Sequence, residues 1–324
     1  MNRLRALSAN IAPISLLVLV FIGCALIDGR ILAPANLMII LTQSVPILIL
    51  ALGAFIVLLT GGIDLSAGVS VTLGSIVIAS MLTTGANLFP ALAAGLVCVV
   101  VIGIANGTLV TLFRVPAFIT TLATMSCIQG ISLLLATRGV YVINEPALKW
   151  LGTGRVEGIP VSILVAIIVI CAAYVLMHHT RVGLRTYATG SDPTATALAN
   201  ISTSRVLMLA YVIAACFTFL AAVMLIARTP IVTPNLGGQS LLLDAIAACV
   251  LGGVSIFGGR GTVLGVVAGS LIVSLFANAL RVIGVDPSSI DLMKGALVIS
   301  ALVCDVGIAR LRGGVLKEES HDYR

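Results

Sequence analysis

Apolar residues run along this chain in blocks of about twenty, the length a helix needs to cross the hydrocarbon core of a bilayer. Short polar, proline- or glycine-containing breaks separate them. Ten blocks can be marked, at residues 11–27, 36–60, 64–83, 88–112, 116–136, 159–177, 207–227, 240–257, 262–280 and 290–308. Pro46 marks a point where the second could break. Arg3 and Arg5 ahead of the first apolar run imitate a signal peptide, but nine further blocks follow, so the run is kept as helix one. No connection is long or hydrophilic enough to make a soluble domain. The pattern predicts an all-α integral membrane protein of about ten transmembrane helices, with residues 1–324 forming one membrane-spanning domain.

Composition agrees. Hydrophobic residues make up 60% of the 324 and charged ones 9%, against about 25% charged in soluble domains. The net charge of +6 does not point to nucleic acid, because the basic residues lie between apolar blocks and at the two ends rather than in a dense patch. They act as topology signals. With the N-terminus cytoplasmic, eleven basic residues fall on the cytoplasmic side, among them Arg114, Arg181, Arg185, Arg205 and Arg260, and six on the other, with Lys294 inside the tenth block. This bias predicts both termini cytoplasmic. The seven cysteines all lie in apolar stretches and include no CxxC, so neither a disulfide framework nor a metal site is expected. No cofactor is indicated.

Three stretches carry candidate chemistry. In "LTGGIDLSAG", Leu59 to Gly68, Gly61 and Gly62 break a helix beside Asp64 and Ser66. A carboxylate facing lipid is costly, so Asp64 should face protein or a cavity. It reads either as a translocation-path or hinge element or as the N-cap of the next helix. The segment 178–206 is the longest cytoplasmic connection; Asp192 followed by Pro193 can start a helix of one or two turns over Thr194 to Leu198. It reads as a docking element or as a solvated loop. In Leu241 to Gly265 a second carboxylate, Asp244, precedes a cluster of glycines that fits no phosphate-binding pattern. Gly265 and Gly269 form a GxxxG pair, as do Gly103 and Gly107, suited to close helix packing.

"TGGIDLSAGVSVTLG", Thr60 to Gly74, also echoes "LGGVSIFGGRGTVLG", Leu251 to Gly265, at five of fifteen positions without a gap. The echo suggests an internal repeat, or chance likeness of glycine-rich text. Asn106, Gln129, Gln239 and Asn278 lie in or beside the blocks and suit hydrogen bonds either to a polar solute or between helices.

Taken together, these stretches resemble the sugar-type permease subunits of bacterial ABC importers, the ribose permease group. "GGIDLSAG" corresponds to that family's GGIDLSxG, "VPAFITTLATM", Val115 to Met125, follows Asn106-Gly107 as in the family, and "LLDAIAACVLGGVSIFGGRGTVLG" matches its C-terminal motif; the likeness covers about residues 35 to 308. The resemblance implies a pore of two permeases in the bacterial inner membrane, this chain paired with a second copy or a sister subunit. It also implies a cytoplasmic ABC ATPase subunit and a periplasmic sugar-binding protein. Its coupling helix would lie in "GLRTYATGSDPTATALANI", where Gly183, Tyr187, Ala188, Gly190, Ala195 and Ile201 hold their places. Asp192, Thr196 and Asn200 replace the usual Asn, Ala and Gly there. Elsewhere Leu242 replaces a frequent acidic residue, and Gln129 an Arg before Gly130. For the path or gate the resemblance and the residues together nominate Gly61, Gly62, Asp64, Ser66, Asn106, Phe118, Gln129, Asp244 and Asn278.

The expected function is therefore inward transport of a monosaccharide or related polyol, driven by ATP hydrolysed in a partner, with no catalytic residue in this chain. An ion-coupled secondary transporter using Asp64, Asp244, Lys294 and Asp305 is the rival, since embedded charges serve ion relays. A second rival keeps the ABC machinery and moves a branched-chain amino acid, a nucleoside or a signalling furanose.

Overall fold

A computed structural model describes residues 2–300 apart from 137, 138 and 287. It is almost wholly helical: α1 (Asn2–Ile27), α2 (Pro34–Leu59), α3 (Ala67–Thr83), α4 (Leu88–Thr111), α5 (Ala117–Leu135), α6 (Pro146–Thr153), α7 (Val161–His179), α8 (Arg181–Ser191), α9 (Pro193–Leu198), α10 (Thr203–Arg228), α11 (Gly238–Leu251) and α12 (Val263–Val282). A further stretch, α13, is helical from 288 to the last described residue, 300. The second half of the tenth block, with Asp305, lies outside the described residues. Two antiparallel pairs of two-residue strands complete the structure, Tyr141–Val142 with Ile231–Val232 and Arg155–Val156 with Ile159–Pro160.

Among the described residues, six helices, α2, α4, α5, α7, α10 and α12, are long and apolar enough to cross a membrane; shorter apolar helices cover Ile11–Ile27, Ala67–Thr83 and Gly238–Leu251. α2 and α12 form the core, 72% and 78% buried over their apolar windows, whereas α4 and α5 are each 22% buried. A helix apolar on every side can be buried or face lipid, and the outer helices here keep exposed leucine, isoleucine and phenylalanine that suit lipid or a second apolar chain. α10 packs on α2 and α4, and α12 on α11, α2 and α1.

Close packing rests on the glycine pairs. A Cβ on Gly265 or Gly269 of α12 would collide with the Gly252 or Ala248 carbonyl of α11 and its end, and one on Gly103 or Gly107 of α4 with Ala215 or Met208 of α10. That close approach is what GxxxG permits.

Four expectations are corrected. α2 continues through Pro46 without a break. The eighth block stops at Leu251, because Gly253 takes a left-handed conformation (φ 75°) and residues 252–262 are not helical. The segment 178–206 is two capped helices, α8 and α9, rather than a loop with one short helix.

Fourth, the ungapped echo is out of register. Both α2 and α11 end in a Schellman cap, with Gly61 and Gly253 supplying the left-handed residue; the amides of Gly62 and Val254 reach back to the carbonyls of Val57 and Cys249. Gly61 thus answers Gly253, not Gly252. The next helix begins at Ala67 in one case and at Val263 in the other, so the second loop is four residues longer.

Candidate functional site

The GGID stretch forms the connection between α2 and α3. The cap at Gly61 turns the chain sharply, and Asp64 follows in a half-buried position. Its Oδ1 accepts from the Ser66 amide at 2.9 Å and from the Ser66 hydroxyl at 2.6 Å. Ser66, not Asp64, occupies the N-cap position of α3, and its own side chain makes no cap bond. Asp64 therefore organises the start of α3 from two residues upstream of Ser66.

Ser66 in turn accepts from Asn106 Nδ2 of α4 at 2.8 Å, and Asn106 is wholly buried. The Thr121 hydroxyl of α5 lies 3.0 Å from the Ile63 carbonyl. The Tyr211 hydroxyl of α10 lies beside Gly62, 3.4 Å from where a Cβ would stand. Side chains from α4 and α5 thus bond to this seven-residue turn, and Tyr211 of α10 packs beside it. Thr121 and Tyr211 were missed from sequence; the available signal was Thr121 lying three residues after Phe118 in the PAFIT motif and Tyr211 as a lone tyrosine in an apolar run. Phe118 itself is 53% exposed.

The 181–201 segment meets the same turn from another side. Thr180 caps α8 by accepting from the amides of Val182 and Gly183, and Asp192 Oδ1 caps α9 by accepting from the Ala195 amide at 2.9 Å. A Cβ on Gly183 would strike the Met177 carbonyl, so glycine allows the sharp corner between α7 and α8. Gly190 is the decisive contact: a Cβ there would fall inside the Leu59 carbonyl oxygen at the end of α2. That same oxygen accepts from the Gly259 amide at 2.9 Å. A Cβ on Gly258 would lie 2.9 Å from the Gly61 nitrogen and 3.0 Å from the Gly190 carbonyl oxygen. The Tyr187 hydroxyl donates to the Gly261 carbonyl at 2.8 Å. Burial pushes the Tyr187 hydroxyl up to about 12, so it stays a neutral donor. The end of α8, the end of α2 and the 252–262 loop therefore form one backbone junction, in which Gly258 and Gly259 are participants the sequence reading did not single out.

Beyond this junction the segment is open. Ala188 is half-buried, with its carbonyl accepting from the Asp192 amide; Ala195 is exposed, and Ile201 lines a cavity of about 620 Å³ together with Arg185 and Arg205. Leu184 is 71% exposed and Leu198 85%.

Three remaining candidates lie elsewhere. Asp244 pairs with Lys294 of α13 at 2.9 Å, both largely buried, and Lys294 also reaches Asp291 at 3.3 Å. Asn278 accepts from Asn36 at 2.9 Å, an interhelical bond between α12 and α2. Gln129 is exposed on α5 at the edge of a separate polar cavity. Asp64 and Asp244 thus belong to separate clusters with no residue in common. Among the described residues, no group of three or more His, Cys, Asp and Glu side chains is placed to hold a metal ion.

This arrangement of glycine-jointed apolar helices has sequence relatives. The chain is 34% identical over 274 residues to the ribose import permease protein RbsC of Escherichia coli (strain K12), covering 83% of this chain and 85% of that one. It is 33% identical over 316 residues to the fructose import permease protein FrcC of Rhizobium meliloti, covering 92% and 86%. It is 36% identical over 300 residues to the galactose/methyl galactoside import permease protein MglC of E. coli (strain K12), covering 86% and 88%. No solved structure matches it. A family model described as the permease component of the branched-chain amino acid transport system matches residues 36–302, and the chain belongs to this family of multi-pass membrane permeases.

Proposed function

We propose that the chain is the membrane-spanning permease subunit of an ATP-driven importer for a monosaccharide or related polyol. Its relatives are import permeases for ribose, fructose and galactose. It crosses the membrane ten times with both termini cytoplasmic, pairs with a second permease, receives solute from an external binding protein and takes its energy from a separate ATPase. The observation that carries the coupling reading is Gly190 seated on the Leu59 carbonyl, with Gly259 bonded to that same oxygen. A push on α8–α9 would reach the end of α2, the GGID turn and the 252–262 loop through backbone alone. Exposed Leu184 and Leu198, on a segment flanked by Arg181, Arg185 and Arg205, offer the ATPase an apolar contact with a basic rim.

Asp64 and its glycines are the gating turn, positioned by Ser66, Asn106 and Thr121. The ion-relay alternative loses support from the geometry, since Asp244 is committed to Lys294 and shares no partner with Asp64. Gentle extraction of the tagged chain from its native membrane tests the proposal. A P-loop ATPase should co-purify in comparable amount, and uptake should survive a protonophore while ATP is maintained. Uptake that follows the proton gradient with no ATPase attached would overturn it.

A further inference from the structure

We propose that a cavity between α3, α5 and the start of α11 is a contact site for a neutral polyhydroxylated solute on the translocation path, a role that rests on the importer reading. The cavity measures about 200 Å³. Gln129 and Ser132 come from α5, Thr72 from α3, Asn235 from the turn before α11, and Gln239 and Ser240 from the first turn of α11. Every polar group is an amide or a hydroxyl, and none is ionisable.

Two observations point to a ligand. Ser132 is 1% exposed, yet its hydroxyl has no partner among the described residues. Such a group is expensive to leave dry. Gln129 and Gln239 stand exposed at apolar-helix positions, where facing lipid would be costly, so water or protein must cover them.

The cavity floor is fixed. The Thr72 hydroxyl donates to the Leu236 carbonyl and accepts from the Gly238 amide at 3.2 Å, while a Cβ on Gly68 would collide with the Gly238 carbonyl. Side-chain amides and hydroxyls suit the alternating donors and acceptors of sugar hydroxyls. A free amino acid would bring two charges into a site with no charged group to meet them, and an unpaired buried charge is disfavoured. The chemistry thus favours a polyol over an amino acid, the class named by the family description.

The test replaces the chromosomal copy with Gln129→Leu, Gln239→Leu or Ser132→Ala and measures maximal uptake of radiolabelled D-ribose, D-fructose and D-galactose in intact cells. Co-purification of the ATPase serves as the assembly readout. Removing one hydrogen-bonding group should lower uptake of the transported sugar about three- to tenfold, with the ATPase retained at the wild-type ratio. Ser132→Ala removes only an unpartnered hydroxyl, so it cannot act through lost packing bonds. Wild-type uptake in all three variants would overturn the site and leave the importer reading standing. A wild-type chain that binds no ATPase and takes up none of the sugars would overturn both.

Discussion

At Asn200 the backbone is left-handed (φ 60°), with the amides of Asn200 and Ile201 bonded back to Ala197 and Thr196, so this residue is the C-terminal cap of α9. The resembled family places glycine here. Asparagine is the side chain that best tolerates that conformation, so the departure keeps the cap. The other two departures behave alike: Asp192 caps α9 as asparagine would, and the Thr196 hydroxyl bonds back to the Asp192 carbonyl at 2.8 Å. Asn200→Ala should therefore destabilise the segment by about 1–2 kcal/mol and Asn200→Gly hardly at all. Hydrogen exchange at the α9 amides reads the difference; equal protection in the two variants would refute the cap. Likewise Asp192→Ala should cost about 1 kcal/mol and Asp192→Asn little.

At the scale of elements, the junction of α8, α2 and the 252–262 loop makes separate expectations. Gly190→Ala puts a methyl group into the Leu59 carbonyl, and backbone cannot swing aside as a flexible side chain can. Overpacking of this kind costs about 1–3 kcal/mol. Solute-stimulated ATP hydrolysis should lose its link to uptake, with at least tenfold less solute moved per ATP and the ATPase still bound. Intact coupling in Gly190→Ala would remove the junction from the mechanism. Tyr187 supplies a pH test. Its ionisation is raised from 10.0 to about 12 on folding, so the stability it contributes is complete below pH 10 and lost as pH rises towards 12. The purified protein should lose thermal stability across that window, and Tyr187→Phe should flatten the slope.

For the whole molecule, the Asp244–Lys294 pair ties α11 to α13 with side chains only 13% and 17% exposed. Breaking it leaves one buried charge unpaired, at about 3–5 kcal/mol, whereas removing both charges is close to neutral. Lys294→Met should sharply reduce the amount of protein in the membrane, and Lys294→Met with Asp244→Asn should restore it. Quantitative immunoblotting of membranes decides; a double variant as depleted as the single would refute the pairing. Helix packing also assigns the faces, with α2 and α12 in the core and α4 and α5 outside, the latter carrying Gln129 towards whatever covers it.

The sequence by itself determined that this is a multi-helix membrane protein, because helix length against bilayer thickness and the cost of a bare backbone in lipid leave few alternatives, while its permease character was legible only through the resemblance of its motifs. It also determined the cap at Asp192 and the helix break at Gly61 and Gly62, since these are local properties of a few adjacent residues. Only the tertiary structure decided that Gly190 rests on Leu59, that Asp244 answers Lys294, and that Thr121 and Tyr211 complete the GGID turn. Those contacts join residues dozens to more than a hundred positions apart, and in a uniformly apolar chain hydropathy gives no sign of which helix faces which. The same uniformity hid the end of α11 at Leu251. The apolar residues run on past it, and the helix stops because a left-handed glycine and its two backbone hydrogen bonds close it there.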